Sequence, residues 1–241
     1  MFYSKQLNLL FVAAPKTGSM SVQSYLSKLD PNGERFRITL EDRIIDSSHV
    51  GSASLGHSTA MEFRQALGAE YYDSTRTFGF VRHPIEKLVS TYNFLRQYSL
   101  IATLKMSAPK SKWLLVTRQL ISIISAKVLP FTIWAFLFPM KKCSHYFLDS
   151  SGRVMVDYLG ATDRLEVDLV AILEKFGISV GDQIVPHVNK SSYKRDYKYV
   201  KSGGLLEKYL ANRYRADLSL YELVKDGYLG LENPDIVFVR D

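Results

Sequence analysis

The sequence contains a single cysteine, Cys143, among its 241 residues. One cysteine cannot form an internal disulfide or a cysteine-rich metal site. The five histidines lack the paired spacing that metal ligands need. They are His49, His57, His83, His145 and His187. We therefore expect a protein that uses no metal ion.

The sequence also lacks a secretory signal and a long apolar run. Residues Met1–Gln6 lead directly into a strand-like segment, which favours a cytoplasmic protein. The most apolar segment, Trp113–Met140, is interrupted by Arg118, Lys127 and Pro130. Its longest part without a charge has 13 residues, whereas a membrane-spanning helix needs about 20. A transmembrane segment is therefore disfavoured.

We interpret this segment instead as an apolar helical insertion over about residues 105–142. An exposed apolar surface of that size needs a cover. The cover could be the rest of the protein, a second copy of the chain in a dimer, a membrane surface or a lipid-linked acceptor.

The rest of the composition is that of a globular protein with a basic excess. It is 46% hydrophobic and 23% charged, and the formal net charge is +7. The length suits one α/β domain over residues 1–241. The positive charge suits an anionic ligand such as a nucleotide, an acidic polysaccharide, nucleic acid or a membrane surface. A basic surface kept for solubility is the simpler alternative.

Strand-like and helix-like segments alternate along the chain. This order predicts an α/β fold with a mostly parallel central sheet flanked by helices on both faces. The predicted strands are Leu7–Ala13, Arg35–Leu40, Thr77–Val81, Tyr146–Leu148, Val154–Asp157 and Gly160–Thr162. The predicted helices are Ser19–Leu29, Thr59–Leu67, Pro84–Tyr98, Leu165–Phe176 and Leu205–Val224, and Ile44–Gly56 is predicted to be a loop.

The first predicted strand is followed by a short turn and then by a helix. At the start of a helix the backbone N–H groups are unpaired and the helix dipole is positive. Lys16 adds a full charge, Gly18 allows a close approach of the backbone, and Thr17, Ser19 and Ser21 offer hydroxyl groups. These features predict a socket for a phosphate-like anion. A plain capped helix is the alternative.

This turn is not a Walker A motif, in which the lysine follows the second glycine. Here Lys16 precedes Gly18, and no glycine stands four residues before Gly18.

A second strand, turn and helix repeats the arrangement. The strand Thr77–Val81 leads to Arg82, and Ser90 follows eight residues later. Eight residues are a little over two helical turns, so Ser90 is expected on the same side as Arg82. Arginine at the carboxyl end of a parallel strand lies where α/β proteins bind ligands, and its planar fork suits a phosphate. Pairing of Arg82 with Glu86 is the alternative.

Two separated anion sites predict a ligand with two separated phosphates. The nucleotide 3′-phosphoadenosine 5′-phosphosulfate (PAPS) and its product 3′-phosphoadenosine 5′-phosphate (PAP) have that shape, and ATP does not.

At these motifs the chain resembles the PAPS-dependent sulfotransferases, particularly the carbohydrate branch with its heparan 2-O-, chondroitin and HNK-1 types. PKTGSMS resembles that family's 5′-phosphosulfate loop, and FVRHPIEKLVSTY resembles its 3′-phosphate motif. The segments GHSTAMEFRQALG, VDYLGATDRLEVDL, PHVNKS and YRADLSLYEL resemble later family blocks. The resemblance implies a P-loop-like three-layer fold and metal-free sulfuryl transfer to a hydroxyl of a saccharide or glycolipid, without nucleic acid.

The resemblance also implies roles for individual residues. Lys16 would stabilise charge on the leaving phosphate, and Arg82 and Ser90 would bind the 3′-phosphate. The residues implied to bind the 5′-phosphosulfate are Lys16, Thr17, Gly18, Ser19, Met20 and Ser21.

The acceptor hydroxyl needs a general base, for which His57 is the candidate. It precedes a predicted helix whose positive N-terminus disfavours the imidazolium form, and a neutral imidazole is the form a base requires. The family blocks favour the same residue. Glu62 and His83 are the alternative bases, and a structural role for His57 is also open.

A basic loop late in the chain is a second candidate for donor binding. Lys190, Ser191 and Tyr193 could close over the nucleotide, or they could form a solvated surface. Two other functions remain open for the whole chain: a P-loop-type nucleotide kinase that uses ATP and Mg²⁺, and a non-catalytic protein of the same fold that binds PAP, a polyanion or a membrane.

Overall fold

The computed structural model describes residues 1–35, 37–40, 43–46, 57–99, 113–180, 200, 203–227 and 229–230. The chain divides into two compact units. The first consists of Met1–His83, Lys142–Lys190 and Tyr214–Asp241, and the second of Pro84–Lys141 and Ser191–Arg213. The extent of a single domain over 1–241 stays a prediction.

The first unit is built on a β-sheet. Its strands are β1 (Phe2–Ser4), β2 (Leu9–Val12), β3 (Glu34–Arg35), β6 (Arg76–Val81), β7 (Tyr158–Ala161) and β8 (Leu229–Gly230). Strands β4 (Arg37–Leu40) and β5 (Arg43–Asp46) form a separate antiparallel pair. Within the described residues the sheet order is β3–β1–β2–β6–β7–β8.

The strand directions agree with the predicted sheet. Strands β2, β6 and β7 are neighbours and run parallel. Strand β3 shares their direction, because it is antiparallel to β1 and β1 is antiparallel to β2. Only β1 and β8 run the other way among the strands of this sheet. The carboxyl ends of β2, β6 and β7 therefore meet at one edge.

Helices cover both faces of this sheet. They are α1 (Ser19–Leu29), α2 (Ala60–Leu67), α3 (Ala69–Asp73), α7 (Ser144–Phe147), α8 (Leu165–Lys175) and α10 (Arg215–Val224). Alternate residues of a strand point to opposite faces. Leu10 and Val12 accordingly join the core under α2, α7 and α10, whereas Leu9 and Phe11 join the core under α1 and α8. The predicted three-layer α/β fold is confirmed.

Aromatic side chains fill much of the second of these cores. The rings of Phe11 and Phe78 lie 5.1 Å apart, and Phe80 meets both edge-on. Burying each such ring stabilises the fold by roughly 1.5–3 kcal/mol. The packing fixes β2 and β6 side by side, which in turn fixes the two loops that follow them.

The second unit is helical in the part that the structure describes. Its helices are α4 (Pro84–Gln97), α5 (Trp113–Val128), α6 (Phe131–Leu137) and α9 (Leu205–Arg213). The ring of Tyr92 on α4 lies 5.4 Å from those of Phe131 and Trp134 on α6. Its hydroxyl donates a hydrogen bond to the carbonyl oxygen of Leu129, 2.8 Å away. None of the helices in the described ranges is long and apolar enough to cross a bilayer.

Two predicted elements are wrong for reasons that lie elsewhere in the chain. Tyr146–Leu148 is not a strand, because the segment forms α7. The Asp217 carboxylate accepts hydrogen bonds from the N–H groups of Cys143 and Ser144 at 2.6 and 2.9 Å, and so caps this helix from α10. The predicted helix Leu205–Val224 is two helices that break at Tyr214 and belong to different units.

Smaller differences concern the strands. The segment Arg35–Leu40 is split between β3 and β4, and β7 begins at Tyr158, two residues before the predicted Gly160. Val154 forms only an isolated bridge with Leu148. The predicted loop Ile44–Gly56 overlaps β5, and its later part lies outside the described residues.

Candidate functional site

The loop between β2 and α1 has an unusual backbone. Lys16 and Gly18 have φ angles of 65° and 76°, in the left-handed region, and Thr17 between them does not. Alternation of the two hands turns successive N–H groups into one concavity, which is an anion-binding nest. A left-handed conformation costs a non-glycine residue about 1–2 kcal/mol, so the backbone at Lys16 is strained.

Gly18 is the N-cap residue of α1 and has no side chain with which to cap it. The N–H groups of Ser21 and Val22 bond to the Gly18 carbonyl oxygen at 2.9 and 3.2 Å. Those of Ser19 and Met20 precede the first helical hydrogen bond and point out of the helix end. A Cβ atom at Gly18 would clash with the side chain of Leu165. The loop thus offers N–H groups and excludes other residues at this position.

The predicted loop residues differ in exposure. Thr17 is fully buried, and its hydroxyl donates to the carbonyl oxygen of Ala14 at 2.9 Å, so this side chain fixes the loop from beneath. Ser21 is also buried. Ser19 is half-buried, and Met20 is exposed at the helix start.

Arg82 brings the second cation to the same loop. It follows β6 and its Nη1 donates to the carbonyl oxygen of Lys16, 3.3 Å away. Burial and, to a smaller extent, the positive charge of Arg82 together lower the pKa of Lys16 to about 8. Two cations held close together repel each other, and a bound anion would relieve that repulsion. The two predicted anion-binding motifs therefore meet at one place.

His57 reaches this edge of the sheet from a distant part of the sequence. Its Nδ1 lies 2.8 Å from the carbonyl oxygen of Ala13, the residue that follows β2. A carbonyl oxygen only accepts, so Nδ1 carries the proton and the lone pair of the neutral imidazole is on Nε2. This tautomer has the form that a general base requires.

The alternative bases have other contacts. The Glu62 carboxylate accepts from the N–H of Thr59 at 2.7 Å, and the N–H of Glu62 donates to the Thr59 hydroxyl at 3.0 Å. These two hydrogen bonds form a capping box at the start of α2. The ring of His83 meets the ring of Tyr221 edge-on, 5.2 Å between centroids. Both residues thus stabilise local structure.

Ser58 is a residue that sequence reasoning missed. It adjoins His57 and is 2% exposed, and its hydroxyl makes no hydrogen bond within the described part of the chain. An unsatisfied buried hydroxyl costs about 1–3 kcal/mol, so it marks a place that a ligand oxygen could complete. The only signal in the sequence is its position beside the candidate base.

Replacing Ser58 with alanine should raise the free energy of unfolding of the ligand-free protein by about 1 kcal/mol. The reason is that the change removes a buried polar group without breaking a hydrogen bond. Urea unfolding measures this. Thr59→Ala is the matched control next door, and loss of its helix cap should lower stability by about 1 kcal/mol. A destabilised Ser58→Ala protein would show that the hydroxyl has a partner.

The remaining predicted donor residues are Ser90, Lys190, Ser191 and Tyr193. Ser90 is half-buried on α4 in the second unit, and its share in the site stays a prediction. Lys190, Ser191 and Tyr193 lie outside the described residues. The carboxylate of Asp168 on α8 is fully buried and accepts a hydrogen bond from the N–H of Ala161 at 2.9 Å, which ties this helix to the end of β7.

A helix N-terminus without a side-chain cap, two neighbouring cationic residues and an imidazole lie where parallel strands end. This is the kind of place where α/β proteins bind anionic, phosphate-like groups.

The sequence model of the sulfotransferase family matches residues 1–226. The chain therefore belongs to the sulfotransferase family and is an enzyme that transfers a sulfuryl group. No curated protein sequence matches it. It is also similar to a crystal structure of a sulfotransferase from Alicyclobacillus acidocaldarius. The two are 16% identical with a TM-score of 0.38, over 90% of this chain and 95% of that one. At that TM-score the likeness adds nothing to the family match.

Proposed function

We propose that this enzyme transfers the sulfuryl group of PAPS to a hydroxyl group of a saccharide or glycolipid in the cytoplasm. The observation that carries the proposal is the contact between Arg82 and the backbone of Lys16, which joins two cations beside the end of α1. PAPS carries a phosphosulfate and a separate phosphate, and a site with two cationic groups is suited to both.

Each residue of the cluster has a role in this proposal. The N–H groups at the start of α1 and the Lys16 ammonium bind the phosphosulfate, and the charge of Lys16 stabilises the phosphate that leaves. The Arg82 guanidinium binds the 3′-phosphate. Ser90, Lys190, Ser191 and Tyr193 are proposed to complete the nucleotide site.

His57 is proposed to act on the acceptor. In the reaction the bond from sulfur to the bridging oxygen of PAPS breaks, and a bond from sulfur to the acceptor oxygen forms. The acceptor proton passes to Nε2 of His57, and PAP leaves. The tautomer set by the Ala13 carbonyl oxygen supports this direction of proton transfer. Positioning and charge stabilisation supply the rest of the rate enhancement.

The match to the sulfotransferase family argues against the alternative function of a nucleotide kinase. Measured turnover distinguishes the proposed enzyme from a family member that only binds PAP. Vesicle binding and light scattering distinguish a membrane contact from a dimer contact through residues 113–140.

Thermal unfolding with PAP tests the donor assignment. PAP binds the folded protein without turnover, so at 100 times its dissociation constant it should stabilise the fold by about 2.7 kcal/mol. ATP with Mg²⁺ at the same concentration should stabilise it far less, because its phosphates are contiguous. Absence of a shift with PAP would rule out the proposed donor.

The variant Arg82→Ala links that shift to the site. It should remove most of the stabilisation by PAP, because one phosphate loses its guanidinium. Arg76 provides the matched control, since it is exposed at the opposite end of β6. Arg76→Ala should keep the full shift. Equal losses in both variants would contradict the location of the site.

A further inference from the structure

The second unit carries the basic excess of the chain. Between Glu86 and Asp149 the sequence has nine Lys and Arg residues and no Asp or Glu. The whole second unit has 14 Lys and Arg against 3 Asp and Glu, a net charge of +11, whereas the first unit has 17 against 21, a net charge of −4. The candidate donor cations Lys16 and Arg82 belong to the first unit, so they do not account for this excess.

Helix α5 of the second unit exposes apolar side chains along one face. Ile121, Ile124 and Val128 are 51%, 48% and 74% exposed. Their spacing of three and four residues places them on one side of the helix. Ile123 and Ala126 on the other side are fully buried. The helix therefore buries one apolar face within the unit and presents a second one to solvent.

Helix α6 continues the pattern after Pro130. It buries Phe131 and Trp134 and exposes Ile133, Phe136 and Leu137. We call the exposed set the α5–α6 surface: Ile121, Ile124, Val128, Ile133, Phe136 and Leu137. Six exposed apolar side chains within 17 residues of two successive helices are uncommon on a protein surface that meets only water.

Exposed basic residues lie close in sequence to the residues of the α5–α6 surface. Arg118 lies one turn before Ile121 on α5, and Lys141 follows α6. Apolar side chains flanked by Lys and Arg are the pattern that enters the boundary of headgroups and acyl chains in an anionic membrane. A second copy of the chain is a poorer cover, because it would bring together two units of net charge +11.

We propose that the α5–α6 surface docks on an anionic lipid bilayer. The apolar side chains enter the boundary between headgroups and acyl chains, and the surrounding Lys and Arg side chains contact the phosphate groups of the lipids. The helices lie in the interface and do not span it. This docking is independent of the donor and of the acceptor.

Vesicle flotation tests the docking on the full chain. Vesicles of equimolar phosphatidylcholine and phosphatidylglycerol should bind the protein, and vesicles of pure phosphatidylcholine should bind it at least about tenfold more weakly. The combined variant Ile124→Ser, Val128→Ser and Leu137→Ser should lower binding to the anionic vesicles by more than about tenfold.

The first unit offers a matched control for this variant. Val167 and Leu223 are 61% and 47% exposed, close to the 61% of Leu137 and 48% of Ile124. Val167→Ser with Leu223→Ser should leave vesicle binding unchanged. Thermal unfolding of both variants should equal that of the parent protein, which excludes a folding defect as the cause.

A charge variant separates the two parts of the surface. Arg118→Gln and Lys141→Gln should each weaken binding to anionic vesicles by about fivefold, and added salt should weaken binding by the parent protein. Equal binding to both kinds of vesicle, or none to either, would overturn the proposal. The proposal would also be overturned if light scattering showed that the protein is a dimer and that only the combined variant Ile124→Ser, Val128→Ser and Leu137→Ser dissociates it.

Discussion

Replacing Lys16 with alanine should lower kcat for sulfuryl transfer by about 10²–10³-fold, the usual effect of removing one group that stabilises charge in a transition state. Lys16 lies in the loop between β2 and α1, and its carbonyl oxygen accepts a hydrogen bond from the Arg82 guanidinium. The charge on the leaving phosphate grows during transfer, so the loss should be larger in kcat than in the affinity for PAP. Single-turnover kinetics and calorimetry measure the two separately.

Two other variants test whether the loss of kcat depends on the positive charge and on its position. Lys16→Arg keeps the positive charge and should retain part of the activity. Lys28 is exposed in the last turn of α1, at the other end of the same helix. Lys28→Ala should leave both kcat and PAP affinity unchanged. If Lys16→Ala keeps full activity, the β2–α1 loop is not the donor site.

The same lysine should give PAP binding a pH dependence. Burial and the charge of Arg82 lower its pKa to about 8. The protonated form attracts anions, and it predominates below that pH. As the pH rises from 8 towards the ordinary lysine pKa of about 10.5, the affinity for PAP should fall. Lys16→Arg stays protonated and should lose this dependence.

The sequence predicts the strand, turn and helix around Lys16 well because this segment is local. Strand, turn and helix follow one another within residues 7–29, and the apolar runs, Gly18 and Lys16 each indicate their own place in it. Parallel pairing of β2 with β6 then brings Arg82 to the same edge, as the alternation of strands and helices predicts.

Other features depend on partners far away in the sequence, and no local pattern reports them. The hydrogen bond from His57 to Ala13 spans 44 positions, and the capping of α7 by Asp217 spans more than 70. The left-handed backbone at Lys16 could not be predicted either, since lysine has no preference for positive φ angles. For this reason three features could not be predicted from the sequence: the tautomer of His57, the helix at Ser144 and the nest formed by the β2–α1 loop.

The two units of the chain differ in net charge, and the candidate donor site and the α5–α6 surface belong to different units. The cores on both faces of the sheet belong to the first unit, which has a net charge of −4 and confines its candidate cations to one edge. The second unit holds most of the positive charge and the α5–α6 surface. The proposed donor site and the proposed membrane-docking surface can therefore be altered by separate substitutions.

Replacing His57 with alanine should lower kcat by about 10²–10⁴-fold with little change in PAP affinity, because a general base acts on the acceptor proton and not on the donor. The fold should survive, since the side chain is only half-buried and contributes no apolar group to the cores of the sheet. The acid side of the kcat profile, where the imidazole becomes protonated and stops accepting, should disappear in the variant.

Three further variants separate a base from a structural histidine. His145 is exposed, so His145→Ala should keep full activity. His83→Ala and Glu62→Gln should lower stability through the lost Tyr221 contact and the weakened capping box, yet keep the acid side of the pH profile. A variant at Glu62 or His83 that removes this acid side while His57→Ala retains it would move the proton transfer to that residue. Only the pH profile makes this distinction, because a positioning residue can lower kcat as much as a base does.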